Sequence, residues 1–421
     1  METIADKLSG AGYVTGMAGK WHAGHTVVQQ TPRRRGFHTS LGYFNGACDH
    51  YTQKDGEDGC KPSGEAAEIH PIDWMTLDDT PPGRGVESTG SSTDLWDTDR
   101  PGYHLNGTYG DLLYVGRAVS TIMAHDTSKP LFFYLAMQCA HMPMEAPARF
   151  RALYKSTVPN VVEYAFSSVI DEGIGNVTAA LRARSMWANT LFVVSSDNGG
   201  PAFSDQHAAS NYPLRGGKYT YFEGGLRTTA FVTGGLLPPA QRGVNISAPI
   251  HVSDWYATFS ALAGVDPSDD HDGVPSIDSV NCWPLLSGAE RTALADREIF
   301  LGSNVLMRGD WKLLTTSPGT AKWSGPLYPK EAATGPNKLA CSDKAPCLFN
   351  VVADPSERVN VAGSHANMVT NMTLRLADLM KGVFEGVQPD VPKGAVCAAT
   401  AKNGGYLTPS DWKSPSPASP E

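Results

Sequence analysis

Residues 129–141 read KPLFFYLAMQCAH, with an apolar run from Leu131 to Met137. Such a run is too short for a buried helix. A strand that is apolar on both alternating faces fits a sheet covered on both sides, as in α/β proteins. The flanking sequence supplies the covering helices. Upstream, Leu112, Val115, Val119, Ile122 and Met123 recur at helical spacing behind Asp111, which is placed to cap that helix. Downstream, Phe166, Val169, Ile170, Val177 and Leu181 mark a second helix before the strand TLFVVSSDNGG. At the front, Ile4, Leu8 and Ala11 give a helical face closed by Gly12, and the strand YVTGMAG follows, ending at Lys20. RTTAFVTGG reads as a further strand, and a helix from about Ser253 carries Trp255, Phe259 and Leu262 before Gly264. Strand and helix alternate, which predicts a mostly parallel mixed sheet with helices on both faces.

A chain of 421 residues exceeds what a single core supports, so a second, smaller domain is expected. The texture changes near Arg297. VLMRGDWKLLTT and CLFNVVADPSE read as antiparallel strands and Met368–Met380 as a closing helix, giving an α+β domain over 297–400 behind a main domain over 1–296. Residues 53–100, acidic and rich in Gly, Ser, Pro and Thr, read as a long surface insertion, and the Pro/Ser-rich 401–421 as a disordered tail. A net charge of −9 without any Lys/Arg run argues against a nucleic-acid partner. No apolar stretch is long enough to cross a bilayer.

The N-terminus opens directly on an amphipathic helix and shows no secretory signal. Four glycosylation sequons, at Asn106, Asn176, Asn245 and Asn371, point instead to the secretory pathway. Seven cysteines are an odd number: Cys48/Cys60 and Cys341/Cys347 are spaced for short disulfide loops, Cys139 reads as a buried thiol, and Cys282 and Cys397 stay unassigned.

Sites in open α/β sheets gather beyond the carboxyl ends of the strands. One strand delivers Lys20 and His22, a second His141, a third Asp197 and Asn198, and the Gly-rich YPLRGGKYTYFEGG adds Lys218. Asp and Asn oxygens suit calcium or magnesium. Two lysines suit a tetrahedral oxyanion, and histidines suit proton transfer to a leaving oxygen. Taken singly, each has a plainer reading: Asp-Asn-Gly-Gly is also a good turn, His141 a loop hydrogen-bonder, Lys218 a solvated charge. Convergence of strand ends on one edge favours chemistry.

With these segments in hand, the chain resembles the sulfatases, most closely the arylsulfatase B-like group. The likeness rests on AGYVTGMAGKWHAG, RRRGFHTSLGYFNGACDHYT, KPLFFYLAMQCAHMPMEAP, FVVSSDNGG, YPLRGGKYTYFEGGLRTTAFV and HVSDWYATFSALAG. The resemblance implies an alkaline-phosphatase-like core with a smaller C-terminal domain, and hydrolysis of sulfate esters on small molecules or glycans. It implies one calcium ion held by Asp197 and Asn198, sulfate oxygens held by Lys20 and Lys218, and His22 serving a formylglycine nucleophile. His141 would assist the leaving alcohol. It further implies a formylglycine-generating enzyme as partner and an extracellular or lysosome-like location.

The pattern also departs from the family. Its Cys-x-Pro-Ser-Arg nucleophile motif and paired acidic ligands precede the Gly-Lys-Trp-His segment, and the eighteen residues before Gly19 hold neither. CKPSG at 60–64 lies downstream and has Gly64 in place of arginine, and Asp78 and Asp79 are likewise out of order. The expectation is therefore an arylsulfatase-type chain lacking its first β-α segments. Its nucleophile is absent, it binds calcium weakly, and a sheet edge is left bare. The alternative is a non-catalytic relative that binds sulfated glycans or a protein partner.

Overall fold

In this computed structural model, helix α1 (Ile4–Gly10) is closed at its start by a reciprocal pair: the Thr3 hydroxyl accepts from the Asp6 N–H while the Asp6 carboxylate accepts from the Thr3 N–H. The structure describes residues 1–54, 60, 92–103, 105, 107–155, 161–201, 209–269, 271, 273–319, 339–383, 389–392 and 394–413. The chain forms two compact units, one of Met1–Trp187, Ala263–Val265 and Gly386–Glu421, the other of Ala188–Leu262 and Asp266–Glu385.

In the first unit, β1 (Val14–Lys20) pairs in parallel with β2 (Thr39–Tyr43). The short β3 (Trp96–Asp97) and β4 (Arg100–Pro101) add antiparallel beyond β2. Helix α2 (Gly110–Ala124) then leads to β5 (Leu131–Ala136), parallel to β1 on its other side, for the order β4-β3-β2-β1-β5. Two glycines permit the tight centre of this sheet. A Cβ on Gly19 would sit 1.8 Å from the Ala136 carbonyl oxygen, and one on Gly42 would sit 1.8 Å from that of Gly19.

α3 (Ala148–Arg151) and the long α4 (Val161–Ala183) complete the layer. Phe166, Val169, Val177 and Leu181 are buried along α4 as its periodicity predicts. Three expectations change here. β5 is the edge of its sheet among the described strands, so with β1 alone beside it Tyr134 is 48% exposed. Asp111 lies inside the first turn of α2 and does not cap it, because its carboxylate turns to the Gln138 N–H, 2.7 Å away. Most of the 53–100 insertion lies outside the described residues, but its end supplies β3 and β4, where Trp96 is buried.

Glu163, in the first turn of α4, carries a carboxyl that burial pushes up to about 7. The fold therefore keeps a proton that the unfolded chain releases near its ordinary value, and stability falls as pH rises through that window. Glu163→Gln is expected to leave stability at pH 4 nearly unchanged and to add on the order of 2–3 kcal/mol at pH 8. Urea unfolding of both proteins at the two pH values checks this; an equal difference at both would refute it.

In the second unit, β6 (Phe192–Ser195), α5 (Glu223–Leu226) and β7 (Ala230–Thr233) follow in order, with β6 and β7 paired antiparallel to each other. α6 (Asp254–Leu262) and α7 (Trp283–Leu286) lead to a four-stranded antiparallel sheet of β8 (Glu298–Phe300), β9 (Val305–Arg308), β10 (Trp311–Leu314) and β11 (Cys347–Asn350). α8 (Ala366–Leu379) packs Met372 and Leu376 onto Leu306, Leu313 and Leu348 of this sheet. The architecture is thus α/β with a mixed sheet and a smaller C-terminal sheet region.

The last helix, α9 (Ala395–Lys402), belongs to the first unit. Residues 401–413 differ from the loose tail their composition suggests. Leu407 is buried with Phe44 and Trp96, Trp412 meets Trp96 edge-on at 5.8 Å, and the Leu407 N–H donates to the Thr93 carbonyl. The cysteine pairing is also corrected. Cys60 bonds Cys397 across 337 residues, whereas Cys48 is a buried thiol outside any disulfide. Packing of α9 brings the distant partner within Cα–Cα 5.3 Å, which local spacing cannot reveal. Cys341–Cys347 pairs as expected, and Cys139 and Cys282 are free.

Candidate functional site

Lys20 is the last residue of β1 and sits in register with Tyr43 of β2. Beyond it the Trp21 and His22 N–H groups donate to the Tyr43 and Phe44 carbonyls at 2.9 Å, so the backbone continues along β2. Trp21 is pinned by its indole N–H, 2.9 Å from the carbonyls of Gly24 and Gln30. His22, exposed, takes φ +46°, a left-handed conformation that few non-glycine residues adopt. The alternation rule that would aim Lys20 and His22 alike assumes extended backbone, so it stops at Lys20. His25 stacks on Phe44 with rings 5.4 Å apart; burial, then the nearby His22, lowers its pKa to about 4, so it is neutral at neutral pH.

His141 follows the carboxyl end of β5, the strand beside β1, where Ala136 faces Gly19. Its Nδ1 lies 3.1 Å from the Met142 carbonyl oxygen, which only accepts, so Nδ1 carries the proton and Nε2 is the basic nitrogen of the neutral ring. The turn is held from several sides. The Gln138 side-chain amide donates to the Cys48 carbonyl, His50 Nε2 lies 3.1 Å from the His141 carbonyl, and Tyr109 donates to the Glu145 carbonyl at 2.8 Å. Lys20, His22 and His141 thus leave the same end of two adjacent parallel strands.

The other three candidates lie in the second unit, Asp197 and Asn198 just past β6 and Lys218 on the segment before α5. The Asp197 carboxylate accepts from the Asn198 N–H at 2.8 Å, and the Asn198 amide donates to the Gly199 carbonyl at 3.0 Å. Asn211 stitches this loop to the Lys218 segment: its Oδ1 accepts from the Gly200 N–H, and its Nδ2 donates to the Gly200 and Gly216 carbonyls. The Lys218 N–H closes the link on the Gly200 carbonyl at 3.2 Å. Gly199 is required there, because a Cβ would fall 1.6 Å from the Gly224 carbonyl oxygen. Asp197, Asn198 and Lys218 therefore share one hydrogen-bonded loop cluster.

Below that cluster lies an ion network that sequence reading missed. Lys312 Nζ is 2.8 Å from Glu223 Oε1 and 2.6 Å from Glu357 Oε1, with all three side chains no more than 4% exposed. Glu357 also accepts the Glu223 N–H at 2.6 Å, and Lys312 donates to the Tyr221 carbonyl at 3.0 Å. Arg215, almost wholly buried, lies over the Phe222 ring at 4.1 Å. Lone charges in FEGG, DWKLL and DPSE gave no local signal that they meet.

The fold is alkaline-phosphatase-like. A solved sulfatase from Pseudoalteromonas sp., PsFucS1, matches it with a TM-score of 0.60 over 92% of this chain and 75% of that one, at 21% identity. The chain belongs to the sulfatase family, whose profile matches residues 1–265. It is 31% identical over 411 residues to arylsulfatase J of Mus musculus, covering 90% of this chain and 62% of that protein. It is 26% identical over 419 residues to N-acetylgalactosamine-6-sulfatase of Homo sapiens, covering 94% and 70%.

The groups this family implies fit unequally. Asp197 and Asn198 offer hard oxygens of the kind calcium takes, but they are two donors where about six to eight are usual. The formylglycine precursor has no match. Cys60, Cys397, Cys341 and Cys347 are in disulfides, and none of Cys48, Cys139 and Cys282 stands in a Cys-x-Pro-Ser-Arg motif.

Proposed function

We propose that the protein acts on sulfate esters, of the arylsulfatase type, with sulfated sugars as the natural substrate class. The observation that carries this is the pairing of Lys20 and His22 with His141 at one end of two adjacent parallel strands, inside the matched region. Lys20 and Lys218 hold sulfate oxygens and offset charge that builds on them in the transition state. His141, its Nδ1 proton committed to the Met142 carbonyl, offers Nε2 to the bridging oxygen and in its protonated form delivers a proton to the departing alcohol. His22 manages the proton of the attacking group. Asp197 and Asn198 would hold a calcium ion, which would supply polarisation of the sulfate.

Sugar sulfates are favoured because one relative is an N-acetylgalactosamine-6-sulfatase. A secretory compartment is supported by the Cys60–Cys397 and Cys341–Cys347 disulfides and by exposed sequon asparagines at 176, 245 and 371. Asn106 lies outside the described residues. No described helix is long and apolar enough to cross a membrane.

The second reading is a sulfated-glycan binder without turnover. An assay of the purified protein with an aryl sulfate, a 6-sulfated galactosaminoglycan and an aryl phosphate separates the two. Sulfate release is expected once the assayed protein also carries the family's Cys-x-Pro-Ser-Arg nucleophile segment. Glycan binding without release would establish the binder, and turnover of the phosphate alone would defeat both.

A further inference from the structure

We infer that His50, Asp111 and Cys139 form a buried site for a single transition-metal ion of the zinc class, separate from the Asp197–Asn198 loop. One ligand atom from each lies within 4.8 Å of the others. His50 Nδ1 is 3.7 Å from Asp111 Oδ2, and Cys139 Sγ is 3.0 Å from the same oxygen. Zinc bonds of about 2.0–2.3 Å in a tetrahedron give ligand–ligand edges of roughly 3.3–3.7 Å; the His50–Asp111 separation fits, and the Cys139–Asp111 contact has to lengthen by only about 0.3 Å or slightly more.

The state of the imidazole points to a ligand. His50 Nε2 faces the His141 carbonyl oxygen at 3.1 Å, which accepts only, so Nε2 carries a proton. Nδ1, with the side chain fully buried, has no hydrogen-bond partner and is aimed at a carboxylate and a thiol. A nitrogen lone pair facing a carboxylate calls for a cation between them. The surroundings are those of ligating side chains: the second ring nitrogen donates to a carbonyl, and the carboxylate is oriented by the Gln138 and Cys139 N–H groups. Tyr109 stacks on the His50 ring at 5.0 Å and 4° and fixes its plane.

Nitrogen, sulfur and one carboxylate oxygen suit zinc rather than calcium, which needs more and harder donors. Tyr109 Oη lies 3.2 Å from Cys139 Sγ and donates to the Glu145 carbonyl. Without an ion, burial and then Asp111 raise the Cys139 thiol far above its ordinary value; ligation replaces that proton with the metal. The metal would tie the carbonyl of His141 to α2, making it a positioning device for that residue. It does not depend on the sulfate chemistry.

The full chain, purified and dialysed, is analysed for bound metal and titrated with cobalt(II). About one equivalent of zinc is expected, with a thiolate-to-cobalt charge-transfer band in the near ultraviolet. Cys139→Ser should lose the band, and His50→Gln should weaken zinc binding at least tenfold, both with an unchanged far-ultraviolet dichroism spectrum. If Cys139→Ser does not fold, His50→Gln measured by chelator competition carries the test alone. A wild-type cobalt complex without thiolate absorption, or variants that bind zinc like the wild type, would overturn the site.

Discussion

Lys312→Met is expected to destabilise the second unit by about 3–5 kcal/mol at neutral pH. The lysine bridges two buried carboxylates, Glu223 at 2.8 Å and Glu357 at 2.6 Å. Removing it strands both in a medium that solvates neither. Burial already pushes the Glu357 carboxyl above its ordinary value against the pull of Lys312. Without the lysine it rises further, so the deficit should shrink as pH falls toward 5 and that carboxyl takes a proton. The triple change Lys312→Met, Glu223→Gln, Glu357→Gln should recover part of the loss, because neither carboxylate is then left charged without its lysine. The damage should reach the Lys218 loop, since the same lysine holds the Tyr221 carbonyl. Denaturant unfolding of the three proteins at pH 5 and pH 7.5 measures this. A single-variant cost below about 1 kcal/mol would mean that the network is solvated.

In a protein that carries the nucleophile segment, Lys20→Ala should cut sulfate-ester turnover by about 10²–10³, equivalent to roughly 3–4 kcal/mol of transition-state stabilisation. The ammonium is the group removed. The bonds of this strand end, such as Trp21 N–H to the Tyr43 carbonyl, are made by backbone and survive. Melting temperature should therefore hold while the rate constant falls. Lys20→Arg should restore part of it, since a guanidinium keeps the charge but presents it on a wider, planar head. A Lys20→Ala protein with wild-type turnover would remove Lys20 from the site and leave the fold assignment untouched.

Much of the fold was legible in short stretches. Phe166, Val169, Val177 and Leu181 announce α4, and the C-terminal strands and the six-residue Cys341–Cys347 loop were equally plain. These signals are local, since periodicity and short loops are set by residues a few positions apart. The same rules failed where a distant partner decides. Asp111 has the right position for a cap, but the backbone at Gln138 offers its carboxylate a buried donor. Cys60 has Cys48 nearby in sequence, yet it bonds Cys397 once α9 folds back. Asn211, which binds the Asp197 and Lys218 segments together, lies in a stretch with no periodic signal.

From the amino-acid order alone came the α/β class, the family, and the residue types that suit a sulfate: two lysines, two histidines and an Asp-Asn pair. Tertiary structure alone decided which strand ends are neighbours, which cysteines bond, and that His50, Asp111 and Cys139 share a buried centre. Composition and spacing act along the chain, whereas proton positions, ion pairs and ligand sets depend on atoms brought together across it, and those meetings leave no periodic trace.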